Sequence, residues 1–172
     1  MKAFAMNTSH ERNCMIVLSL LAILQSGHMV EHVAQFIQWM LHLRLAQGII
    51  GEFDLEPIHF AFNGMVLVGT SLLCSFYADV LRARGGRWVH RALLFAMAVE
   101  TYHTTEHVAK FMQYVETGIQ GTPGILGRYI PLVPMHFAIN LATTIPLDLA
   151  FAALAMRLVL PRFSARPVPE KG

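Results

Sequence analysis

Apolar residues gather into four long stretches, at roughly 15–41, 58–81, 88–114 and 134–160, separated by short polar segments or segments containing Gly and Pro. About 20 helical residues cross a hydrocarbon core of ~30 Å, so each stretch predicts a transmembrane helix. The polar positions inside these stretches recur. H-x-x-E-H stands at His28, Glu31 and His32 and again at His103, Glu106 and His107, each copy followed in register by Val, Ala, Phe and Gln. A second motif, P-x-H-F-A-x-N, runs from Pro57 to Asn63 and again from Pro134 to Asn140. Even the connections match, with G-I-I-G from Gly48 to Gly51 and G-I-L-G from Gly124 to Gly127.

So many uncommon residues in one register imply duplication of a two-helix unit, with repeats over 13–83 and 84–160 and tails at 1–12 and 161–172. A unit that crosses the membrane twice leaves its copy in the same orientation, related by a pseudo-two-fold axis along the membrane normal. The expected fold is an all-α integral membrane protein, a four-transmembrane-helix bundle of two tandem two-helix repeats. Composition agrees: 55% of the 172 residues are hydrophobic and 14% charged. Mean hydropathy is +0.48, and a soluble domain carries more charge.

Net charge is only +2, so the placement of the charges is the informative part. Lys2, Arg12, Arg82, Arg84, Arg87, Arg91, Arg157, Arg162, Arg166 and Lys171 fall on one side of the expected membrane, while Arg44 and Arg128 fall on the other. The positive-inside rule then puts both termini in the cytoplasm. Nothing in this pattern reads nucleic acid. Lys2 and Arg12 before an apolar run resemble a signal peptide, but no small-x-small cleavage pattern follows, so the segment reads as a retained span. Cys14 and Cys74 lack the spacing of a disulfide framework or thiolate metal site and read as small buried hydrophobes.

H-x-x-E-H places its three residues at i, i+3 and i+4, on one helix face, and H-x-x-x-N does the same. His28, Glu31, His32, His59, Asn63, His103, Glu106, His107, His136 and Asn140 can therefore share one layer in the outer half of the bilayer. Ionisable groups within a span cost on the order of 2.5–3.5 kcal/mol each on insertion scales, and metal ions would compensate them. The inventory suits two ions, each with three His and one carboxylate, while the asparagines serve as weak ligands or orient an imidazole. Imidazole and carboxylate without thiolate fit iron first, then copper or zinc.

The copies also differ. Glu100, Lys110 and Asp148 stand where the first copy has Gln25, Gln35 and Ser71. Glu100 is a candidate extra ligand or proton relay, Tyr102 a hydrogen-bonding or radical residue, and Gln38 and Gln113 outer hydrogen-bonding partners. Glu31, Glu106 and Glu100 are the candidate catalytic groups. His10, His42 and His90 have no counterpart and are expected at interfaces or the surface. Phe36, Trp39, Phe60, Phe111, Tyr114 and Phe137 are expected to pack, and Gly64 and Gly69 to let helices approach.

These features point to a membrane-embedded metal-dependent oxidoreductase with a dinuclear His/Glu centre. Its expected partners are the lipid bilayer, an apolar substrate or quinone, and an electron-transfer partner or larger membrane complex. The alternatives are a zinc-dependent membrane hydrolase, a haem- or chlorin-binding electron-transfer subunit, a metal or proton transporter, and a metal-free polar network. Haem needs one or two axial ligands and no carboxylate, so the paired Glu residues disfavour it. H-x-x-E-H also matches the inverted zinc-protease motif, but over five residues per copy and without a soluble protease context, so no function is carried over.

Overall fold

The computed structural model describes residues 8–43, 46–51 and 55–158. Lys2, Arg44, Arg162, Arg166, Lys171 and the expected tails at 1–7 and 161–172 lie outside the described residues. The described chain is all helical: α1 (Thr8–Met40), α2 (Glu56–Phe76), a short α3 (Ala78–Val80) running into a π-helical turn (Leu81–Gly85), α4 (Arg87–Thr117), a 3-10 turn (Leu126–Arg128) and α5 (Leu132–Leu158).

Local chemistry sets several of these boundaries. Pro57 sits in the first turn of α2, where its missing N–H costs nothing. Gly118, left-handed at φ 70°, ends α4 by donating its N–H to Tyr114 O at 2.7 Å. The sequence places the second span to residue 81, but α2 breaks at Tyr77 and the chain reverses through the π-helical turn. The expected N-terminal tail is helical from Thr8, because Glu11 is buried there against Arg84, with Oε1 2.7 Å from Nη2.

Three helices, over Ser9–Met40, Glu56–Phe76 and Leu132–Arg157, are long and apolar enough to cross a membrane. The third expected span forms a helix throughout but is not among them. Arg87, Arg91, Glu100, Glu106, Lys110 and Glu116 make α4 too polar along its length.

Packing explains how α4 tolerates those residues. α1 lies chiefly on α5 and α2 on α4, α4 also lies on α5, and the contact between α1 and α2 is slighter. The interior divides in two. Towards the end that holds the 77–86 connection, Cys14, Leu18, Leu73, Leu93, Leu147 and Leu154 form an apolar core. Towards the end that holds the 41–55 and 118–131 connections, the interior is polar. Among the described residues 19 buried side chains are polar or charged against 18 apolar, while Ile23, Val68 and Phe76 are more than half exposed. Such an inverted distribution is compatible with a lipid solvent.

Gly69 faces Leu21 so closely that a Cβ would stand 2.6 Å from Leu21 Cδ2, as a close helix approach requires. Gly64 faces open space, so the expected approach is absent there. Truncating fully buried Leu73 to Ala should lower stability by about 2–5 kcal/mol in detergent unfolding, whereas Val68→Ala, at an exposed position, should stay within about 0.5 kcal/mol.

Candidate metal centre

The helical spacing brings the six repeated imidazoles together. His28 and His32 on α1 with His59 on α2 form one group of three, and His103 and His107 on α4 with His136 on α5 form a second. Within each group one nitrogen from every ring lies within 4.8 Å of the others. His28 Nε2 and His32 Nε2 are 3.0 Å apart, and His103 Nε2 and His107 Nε2 are 3.2 Å apart. Two nitrogens bound at ~2.0–2.1 Å to one ion stand about 2.9–3.4 Å apart in adjacent octahedral or tetrahedral positions, so the spacing fits shared coordination. His136 Nε2 is buried and has no hydrogen-bond partner among the described residues. An orphaned nitrogen beside two converging ones is costly unless a ligand meets it.

The two groups adjoin. His107 stacks between His59 and His136, with ring centroids 5.4 and 5.1 Å away and planes nearly parallel. A cavity of about 170 Å³ opens beside them, lined by His32, His59, His107, His136, Glu56 and Lys110 among others. A second cavity of about 180 Å³ lies against His28 and His59, walled by Ile50, Ile58 and Phe62.

The paired carboxylates bind backbone amides of the connections. Glu31 accepts from the backbone N–H of Ile49 at 2.9 Å and of Ile50 at 3.3 Å, and Glu106 from those of Ile125 at 2.8 Å and Leu126 at 3.1 Å. Tyr102 also donates to Glu106 Oε2, at 3.0 Å. Both carboxylates therefore tie the connections onto the helices. The glycines fit this arrangement: at Gly48 (φ 73°) and Gly124 (φ 68°) a Cβ would land on the Glu31 and Glu106 carboxylates. Gln38 and Gln113 clamp the same glycines, each amide accepting from the glycine N–H and donating to its C=O at 2.8–3.0 Å.

The asparagines bond to the backbone. Asn63 donates to His59 O at 2.8 Å and Asn140 to His136 O at 3.0 Å, so each steadies the turn that presents an imidazole. Glu100 is fully buried, 3.4 Å from His103 Nδ1, and accepts from Thr143 Oγ1 at 3.2 Å. Asp148 accepts from Ser26 at 3.0 Å. His10 pairs with Asp79, and His90 lies 3.4 Å from Cys74 O, both apart from the centre.

No protein-family model, curated protein or solved structure matches this chain. The site therefore rests on its own geometry. Sequence reasoning passed over Glu56, which pairs with Lys110 at 2.5 Å and lies 3.5 Å from His107 Nδ1. It precedes Pro57 and its counterpart is Val133, so the comparison of repeats gave no signal; a carboxylate opening an apolar helix was the available one.

Glu106→Gln should weaken the hold on the 118–131 connection by about 1.5–3 kcal/mol, the value of hydrogen bonds to a charged group. Faster hydrogen exchange at the Ile125 and Leu126 amides would report it.

Proposed function

We propose that this chain is an integral membrane protein, a four-transmembrane-helix bundle of two tandem two-helix repeats with both termini in the cytoplasm, and that it binds two transition-metal ions. The ions, iron in the first instance and otherwise copper or zinc, are held by His28, His32 and His59 and by His103, His107 and His136. The observation that carries the reading is the pair of imidazole trios, each with nitrogens within 4.8 Å, inside helices whose outer faces are apolar. Matching hydrogen bonds at Glu31 and Glu106, Gln38 and Gln113, and Asn63 and Asn140 support the duplication.

The activity we propose is metal-dependent oxidoreduction. Redox-active ions supply one-electron chemistry, which imidazole coordination by iron or copper suits. A small apolar molecule such as a quinone reaches His28 and His59 through the cavity walled by Ile50, Ile58 and Phe62. An electron-transfer partner or larger membrane complex exchanges the electrons. Glu31 and Glu106 then close the connections over the site, and Glu100 orients His103.

Three features weigh on the alternatives. A zinc hydrolase needs a carboxylate beside a metal-bound water; both repeated carboxylates face backbone amides, and Glu56, which lines the cavity, is paired with Lys110. Haem would have to part imidazoles stacked 5.1–5.4 Å apart, and the cavity of about 170 Å³ falls below the ~300–1,000 Å³ of sites for larger ligands. Transport needs a polar path along the axis, and Leu18, Leu73, Leu93 and Leu154 close one end.

Elemental analysis and an absorption spectrum on protein purified in mild detergent without chelator test the proposal. The expected result is about two iron or copper ions per chain without a Soret band, as a dinuclear bundle site would hold. His32→Ala and His107→Ala should each lower the content by about one ion, while Glu31→Gln should retain both. If neither the native protein nor metal-supplemented protein holds an ion, the imidazoles form a hydrogen-bonded network and the proposal falls.

A further inference from the structure

The two trios share an arrangement of imidazoles but differ in what stands behind them. In the second trio both α4 rings have a carboxylate at Nδ1: Glu100 Oε2 at 3.4 Å from His103 and Glu56 Oε2 at 3.5 Å from His107. The Nε2 atoms of the same rings converge to 3.2 Å. All four side chains are buried. Neither His107 Nδ1 nor Glu56 Oε2 has a hydrogen-bond partner among the described residues, so at 3.5 Å their contact is electrostatic.

Neutral groups stand at the matching positions of the first trio. Gln25, in the place of Glu100, donates to Asn140 Oδ1 at 3.1 Å and Thr144 Oγ1 at 3.3 Å. Gln35, in the place of Lys110, hydrogen-bonds His32 through its amide. Val133 stands where Glu56 does. Helix packing accounts for the reach of Glu56: α2 lies on α4, so a residue of the first repeat backs an imidazole of the second.

Resting on the metal reading above, we propose that the two sites are unequal: His103, His107 and His136 form a tight, carboxylate-backed resident site, and His28, His32 and His59 a weaker, exchangeable one. A carboxylate accepting from Nδ1–H fixes the tautomer, aims the Nε2 lone pair and raises its basicity; losing such a partner costs 10–100-fold in metal affinity. Charge acts in the same direction. Lys110 offsets Glu56, whereas Glu100 has no Lys or Arg partner among the described residues. A cation in the second trio compensates that buried charge. The weaker site borders the apolar cavity at Phe62 and Ile58.

The test uses the full-length chain in detergent, stripped with chelator and titrated with Co²⁺ alone, followed by calorimetry and visible ligand-field absorption. The native chain should bind two ions in steps about 10–100-fold apart, with His103→Ala abolishing the tight step and His28→Ala the weak one. Glu100→Gln and Glu56→Gln should each weaken the tight step by about 10–100-fold, shift its absorption band and leave the weak step in place; Glu100→Asp should recover part of the loss. Unchanged helical circular dichroism identifies variants that have folded. Two equal steps in the native chain, or carboxylate variants that weaken the weak step or neither, overturn the inequality and leave the metal reading standing. No Co²⁺ bound by the native chain overturns both.

Discussion

A buried polar atom is costly unless it meets another, and a chain with apolar outer faces has to satisfy its imidazoles and carboxylates from within. That constraint orders the loop-bearing end of this protein. Glu31 and Glu106 receive backbone amides from the connections, Gln38 and Gln113 clamp the glycines that let those amides approach, and the asparagines bind the carbonyls of the turns bearing His59 and His136. The imidazole nitrogens are what remains: Nε2 of His28 meets that of His32, Nε2 of His103 meets that of His107, and His136 Nε2 has no hydrogen-bond partner among the described residues.

The division of labour along the helices follows. At one end Leu18, Leu73, Leu93 and Leu154 interlock as an apolar core that a small polar group would disrupt. At the other, hydrogen bonds of defined length hold the connections and the turns that carry the rings, so the polar half has geometry where the apolar half has only volume. Rigidity at the site therefore derives from hydrogen bonds to the backbone, made by Glu31 and Glu106 beside His32 and His107 and by Asn63 and Asn140 one turn after His59 and His136, rather than from packing alone.

Much of this was legible in the sequence. Period and register placed His28 and His32, and His103 and His107, on shared faces, and the repeated motif on the following helix brought His59 and His136 to them. What could not be read was direction. A carboxylate one position from a histidine on the same face has two choices, an ion or a loop amide, and only the positive-φ glycines at 48 and 124 settle which is within reach. Glu56 escaped because its partner lies on another repeat, a contact that depends on α2 packing against α4. The polarity of α4 was likewise visible residue by residue, but its position against both α2 and α5, which shelters Glu100 and Lys110, belongs to tertiary structure.

That crossed packing bears on how the molecule comes into being. A ribosome delivers α1 and α2 first, yet α1 finds its main partner in α5 and α2 finds its own in α4. The first pair of helices emerges with His28, His32 and His59 and the amide partners of Glu31 in hand, but with Gln25 and Glu56 lacking their partners Asn140 and Lys110, so it is not a finished object. Assembly is therefore completed from the C-terminal side, when α4 and α5 bring those partners to α2 and α1.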